Sequence, residues 1–123
     1  MARILIIEDS PTDTAVLTQL LERHGHQVLA STSAEDGIEV CKREKPNLVL
    51  MDVVLPGMNG FQATRALGRD ADTKDIPVLN VSTKGMETDK AWGMRQGAKG
   101  YLVKPPKEDV LLGEIDRLLE AAG

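Results

Sequence analysis

Apolar residues fall along this chain alternately in short continuous runs and in spaced stripes. Ile4 to Ile7 is a run of β-branched residues and leucine, the pattern of a strand buried on both faces, and it stops at the acidic pair Glu8-Asp9. Ser10 or Asp9 can cap a helix with Pro11 in its first turn; Val16, Leu17, Leu20, Leu21 and His24 follow at helical spacing, and Gly25 ends it. Gln27 to Ala30 predicts a second strand. Ser33 opens a helix over Ala34 to Glu44, which Pro46 stops. Asn47 to Met51 predicts a third strand, Gly60 to Gly68 a helix, Asp70 to Asp75 a polar loop and Ile76 to Val81 a fourth strand. Glu87 to Gln96 is a helix and Gly100 to Val103 a fifth strand. Glu108 to Ala121 is the last helix, with Val110, Leu111, Leu112, Ile115, Leu118 and Leu119 inward or flanking.

Five strands and five helices in alternation predict a doubly wound α/β fold, a parallel sheet covered by helices on both faces. A length of 123 residues suits one domain with a sizeable core. No repeat or linker interrupts residues 1–123, so a single domain without an attached output domain is expected.

Composition narrows the function. With 41% hydrophobic and 28% charged residues the chain reads as an ordinary soluble globular protein. Its aromatic residues are Phe61, Trp92 and Tyr101, too few for a base-stacking surface, and a net charge of -4 argues against nucleic acid or an anionic membrane as main partner. The single Cys41 excludes an internal disulfide; it shares a helical face with Ala34, Gly37 and Ile38, which reads as a buried structural thiol. Before the acidic pair the apolar run Ile4 to Ile7 is far too short for a signal peptide or membrane span, and a cytoplasmic location is expected.

Candidate chemistry collects at the strand ends. Glu8 and Asp9 close the first strand, Asp52 the third, Ser82 and Thr83 the fourth, and Lys104 follows the fifth. In a parallel sheet these lie along one edge, the edge where open α/β folds bind ligands. Asp52, followed by the Pro56-Gly57 turn, is a candidate nucleophile or metal ligand, although a strand-terminal acid can also simply start a turn. Three converging carboxylates repel one another, and a hard divalent cation such as Mg²⁺ would relieve that. A hydroxyl and an ammonium alongside can hold phosphoryl oxygens, which completes the equipment for phosphoryl transfer to an aspartate. No Gly-rich loop follows the first strand, so neither a dinucleotide fingerprint nor a P-loop is present. Elsewhere, His24 reads as helix-terminal, His26 as solvent-facing, Lys84 to Lys90 as a solvated helix start, and Trp92 as either core or interface.

The acidic pair Glu8-Asp9 after ILII, Asp52 in LVLMD with Pro56-Gly57 and Gly60, Ser82 after Val81, and Lys104-Pro105 after Gly100-Tyr101 resemble the receiver domain of two-component response regulators over essentially the whole chain. Within that family Glu44-Lys45-Pro46, Gly60 to Arg65 and Arg95 to Ala98 look most like the stand-alone regulators of type IV pilus and twitching motility, which are related to the chemotaxis regulators. The resemblance implies a flavodoxin- or CheY-like sheet of order 2-1-3-4-5. It also implies a monomeric switch, not a conventional enzyme, phosphorylated by a histidine kinase and read by a downstream protein through the fourth helix, fifth strand and fifth helix. By position, Asp52 would accept the phosphoryl group, and Asp9, Asp52 and the Val54 carbonyl would ligate Mg²⁺, with Glu8 acting through water. Ser82 and Lys104 would contact the phosphoryl group, Ser82 and Tyr101 would form the switch pair, and the Lys104-Pro105 bond would be cis. Val54 and Lys84 border the path of the hydrolytic water.

The sequence departs from the family pattern in four places. Glu8 stands for the more frequent Asp, and Thr83 for a small residue that opens access to the aspartate. Asn80 interrupts an apolar strand, and Pro106-Lys107 leaves the last helix with little but Asp109 as a cap. The competing class is a metal-dependent phosphohydrolase with an aspartyl intermediate. That chemistry needs a second acid two residues beyond the nucleophile, where this chain has Val54.

Overall fold

A computed structural model of the chain, described over residues 1–122, contains β1 (Arg3–Ile7), α1 (Pro11–Arg23), β2 (Gln27–Ser31), α2 (Ala34–Glu44), β3 (Leu48–Met51), α3 (Gly60–Arg69), β4 (Val78–Ser82), α4 (Glu87–Gln96), β5 (Gly100–Val103) and α5 (Glu108–Ala122). The strands form one sheet in the order β2-β1-β3-β4-β5, with every neighbouring pair parallel. The predicted fold is the observed one. The largest boundary difference is at β4, which begins at Val78 and reaches Ser82.

Alternate residues of each strand face opposite layers, as the pleat requires. Ile4, Ile6, Leu48, Leu50, Leu79 and Val81 pack against Leu17, Leu20 and Leu21 of α1 and Leu111, Ile115 and Leu118 of α5. Leu5, Ile7, Val49, Met51 and Val78 pack instead against Ala34 and Cys41 of α2 and Ala63 and Leu67 of α3. Burying a Leu or Ile side chain fully is worth about 1.5–3 kcal/mol, so these two layers hold the sheet edge that carries the site. Cys41 lies fully inside, and burial pushes its thiol up to about 11, so it stays protonated and inert at neutral pH.

Several details differ from the expectation. Val16 is 62% exposed, because the buried stripe of α1 runs through Leu17, Leu20 and Leu21 and leaves Val16 beside the β5–α5 turn. Val110 is likewise exposed at the start of α5. His26 is half-buried rather than solvent-facing: its Nδ1 accepts from Ala2 N at 3.2 Å, and burial lowers its pKa. Trp92 is 47% exposed on α4, so it is a surface residue.

The layer under α4 is thin. Its buried residues are Gly93 and Gln96, and a Cβ at Gly93 would lie 2.9 Å from the Tyr101 ring. Asn80 sits fully buried beneath, its Nδ2 donating to Thr64 Oγ1 at 3.2 Å, while its Oδ1 has no partner among the described residues. An unpaired buried carbonyl costs about 1–3 kcal/mol, so Asn80→Ala, which removes that orphan together with the single bond to Thr64, should change stability little. In that variant a lost side chain offsets a removed orphan, which chemical denaturation of the two proteins measures.

Candidate functional site

The acids and the lysine meet where β1, β3 and β5 end. Asp52 N donates to Ile7 O at 3.0 Å, which sets the end of β3 beside the end of β1. Lys104 N donates to Ser82 O at 2.8 Å, which brings the lysine alongside β4. Glu8 and Asp52 are buried and Asp9 is exposed; each offers a carboxylate oxygen within 4.8 Å of the others. The Lys104 Nζ donates to Asp52 Oδ2 at 3.1 Å, to Asp13 Oδ2 at 2.8 Å and to Glu8 Oε1. The other Asp52 oxygen accepts from Val54 N at 3.2 Å.

Burial raises the Glu8 carboxyl above its ordinary value, with Lys104 and the Ser10 N–H pulling it partly back. Burial alone would lower the Lys104 ammonium. Its hydrogen bonds to Asp13, Glu8 and Asp52 outweigh that and hold it above the usual lysine range, so Lys104 is a permanent cation here.

Beside this cluster stands a second group, linked through Lys84. The buried Ser82 Oγ accepts from Lys84 N at 3.3 Å, and Tyr101 Oη donates to Lys84 O at 2.6 Å. Tyr101 is half-buried, and burial raises its phenol. Thr83, Lys84 and Val54 are exposed at the rim. The peptide bond from Lys104 to Pro105 is cis.

Asp13 is the contact that sequence reasoning missed. An acid in the first turn of a helix reads as a partner of the helix dipole, and nothing in its spacing points across the sheet edge to Lys104. The acid cluster fits a hard cation: oxygen donors, converging and partly desolvated, suit Mg²⁺ rather than a soft metal.

Residues 4–116 match the response regulator receiver domain. This chain belongs to that family. It is 57% identical over 119 residues to Protein PilH of Pseudomonas aeruginosa, covering 97% of this chain and 98% of PilH. Among solved structures it resembles the beryllofluoride-activated N-terminal receiver domain of Klebsiella pneumoniae RstA, with a TM-score of 0.87 and 28% identity over 95% of this chain and 97% of the other. It also shares the fold of the receiver domain of sensor histidine kinase PA1611 from Pseudomonas aeruginosa, with a TM-score of 0.90 and 24% identity over 97% and 98% of the chains; that protein has a magnesium ion coordinated in its active site cleft. As a receiver domain the chain is a signalling protein rather than a conventional enzyme.

Proposed function

We propose that this receiver is a phosphorylation-controlled switch in which Asp52 accepts a phosphoryl group from a histidine kinase and partner binding changes at the face of α4, β5 and α5. The observation that carries this is the Asp52 carboxylate, buried at the sheet edge between Lys104 and two further acids. A carboxylate oxygen of Asp52 forms a bond to phosphorus as the bond from phosphorus to the donor's histidine nitrogen breaks, and the electron pair leaves on the imidazole. Lys104 and the Ser82 hydroxyl bind and orient the phosphoryl oxygens. Glu8, Asp9, Asp52 and the Val54 carbonyl would hold Mg²⁺, directly or through water, and the ion would neutralise charge on the transferring group.

The route outward runs through Lys84. Its N–H and carbonyl are tied to Ser82 and Tyr101 respectively, so a shift of Ser82 towards a phosphoryl group pulls on both bonds. Helix α4 follows readily because it buries little apolar surface. Met86, Trp92, Met94 and Val103 are exposed on α4 and β5 or beside them and supply the apolar anchors a protein partner needs. The likeness to PilH supports a role among the regulators of type IV pilus and twitching motility, and we read the protein as acting there as a cytoplasmic monomer.

A phosphohydrolase reading is disfavoured by Val54, which can neither give nor take a proton. Acetyl phosphate with Mg²⁺ separates the two: a switch labels itself to about one phosphoryl group per chain, whereas a hydrolase releases phosphate over many turnovers.

Two expected results follow from the site. Saturating Mg²⁺ raises the melting temperature, since a cation held at a hundred times its Kd stabilises the fold by about 2.7 kcal/mol. Asp9→Ala should lose most of that rise; an equal rise in both proteins would remove Asp9 from the metal site. The second result concerns the lifetime of the phosphoryl group. Its hydrolysis needs a water in line with phosphorus, yet Val54 cannot hydrogen-bond one and a charged Lys84 is donor only. Phosphate release from the purified phosphoprotein should therefore be slow, and Val54→Asn should speed it. Fast release in the native protein, or no gain in the variant, contradicts this.

A further inference from the structure

The phosphoacceptor reading leaves one partner of Lys104 unused. Asp13 accepts from Nζ at 2.8 Å, yet it comes from the first turn of α1 and lies outside the cluster of Glu8, Asp9 and Asp52. Its backbone is fixed by the turn that also carries Glu8. Ser10 N donates to Glu8 Oε2 at 3.0 Å, Asp13 N donates to Ser10 Oγ at 3.2 Å, and Thr14 N donates to Ser10 O at 3.0 Å. One hydrogen-bonded turn thus presents two carboxylates to the same ammonium. The Lys104 side chain is 12% exposed and that of Asp13 43%, so Asp13 meets the lysine at the mouth of the site.

We propose, resting on the phosphoacceptor reading, that Asp13 is a positioning residue that tethers the Lys104 ammonium at the mouth of the site and thereby speeds phosphoryl acceptance by Asp52. An ammonium has three protons to donate. Once a cation engages Glu8 and Asp52 and a phosphoryl group approaches, two of the three partners of Lys104 are drawn to other charges. Asp13 is not, so it keeps the flexible lysine stem in place and leaves a proton free for a phosphoryl oxygen. Holding that stem beforehand removes freedom that would otherwise be lost during transfer. Asp13 also repels an anionic donor, which would slow acceptance. Its exposure screens that long-range effect, whereas the hydrogen bond to Lys104 is direct, so tethering outweighs repulsion.

The test is the initial rate of labelling by acetyl phosphate in Mg²⁺. Asp13→Ala is expected to lower it about tenfold, while Asp13→Asn, which keeps an acceptor oxygen, retains most of it. The helix cap survives in both, because Ser10 uses the backbone N–H of residue 13. In a Lys104→Ala background Asp13→Ala should cost nothing further, the signature of action through the lysine. A readout free of metal and phosphate is the Lys104 Nζ signal in ¹⁵N NMR, whose proton exchange should become faster in Asp13→Ala, where only Glu8 and Asp52 hold the ammonium, and stay slow in Asp13→Asn. Faster labelling in both variants, an equal loss with and without Lys104, or an unchanged Nζ signal in Asp13→Ala would each overturn the proposal. If the native protein takes no label, the phosphoacceptor reading fails instead, and the Nζ signal still decides whether Asp13 holds Lys104.

Discussion

Asp52→Asn is expected to take up no phosphoryl group from acetyl phosphate or from a histidine kinase while remaining folded. The amide has no anionic oxygen to attack phosphorus, and the neighbouring acids cannot replace it. Asp9 is exposed at the rim, and Glu8 is bound to Lys104 and the Ser10 N–H. The fold should survive because Asn fills nearly the same volume and its carbonyl can still accept from Val54 N, as Asp52 Oδ1 does. The amide nitrogen would face Lys104, but the ammonium keeps Asp13 and Glu8 as partners. Loss of one charged hydrogen bond, partly offset by relief of repulsion among the acids, should leave stability within about 1–2 kcal/mol of native. Labelling and far-ultraviolet circular dichroism on the same sample measure both parts. Undiminished labelling would move the acceptor elsewhere.

Gly60→Ala should be the most damaging small substitution in the chain. Gly60 opens α3 directly behind the end of β3, with its N–H donating to Val53 O at 2.9 Å. An added Cβ would overlap the Asp52 carbonyl oxygen and come within 2.7 Å of Val53 Cα. Both are backbone, so neither can swing away as a flexible side chain would. Either α3 moves off the sheet, loosening Ala63 and Leu67 from the core, or the residue bearing the acceptor carboxylate shifts. A loss of about 3 kcal/mol is expected, at the upper end for an overpacked methyl group. The requirement is close approach rather than an unusual dihedral, so Ser and Ala should fail alike. Gly68→Ala on the same helix meets nothing within 4 Å and serves as the control, with stability equal to native or slightly higher. Urea midpoints of the three proteins decide it; a Gly60→Ala midpoint matching the control would mean the helix start yields easily.

The fold was legible because its signals are local and agree with one another. Continuous apolar runs mark the buried strands, and Ser10 and Ser33 do cap α1 and α2. Parallel strands then carry every strand-terminal residue to one edge, which is why the sequence alone groups Glu8, Asp52 and Lys104. What escaped depends on contacts between distant elements. Asp13 reaches Lys104 across the gap between α1 and β5, and an acid in a first helical turn has an ordinary explanation that hides this. Val16 fits an apolar stripe by spacing yet faces outward, because the stripe is wider than the surface α1 buries. His26 departs from its expected place for a related reason: the partner of its ring is the Ala2 N–H, which the parallel pairing of β1 and β2 brings beside it. Helix α4 lies where expected although its buried residues are Gly93 and Gln96, so its position between two strands, rather than an apolar stripe, marks it in the sequence.

Borohydride trapping tests the central claim most directly. Acyl phosphates are reduced at the aspartyl carbon, so the native protein is phosphorylated in Mg²⁺, reduced, digested and its peptides are mapped by mass. The account predicts conversion at position 52 alone, in the peptide that carries LVLMD. Conversion at Asp9 or Asp13 instead, or at no aspartate in a protein shown to be folded, would contradict it.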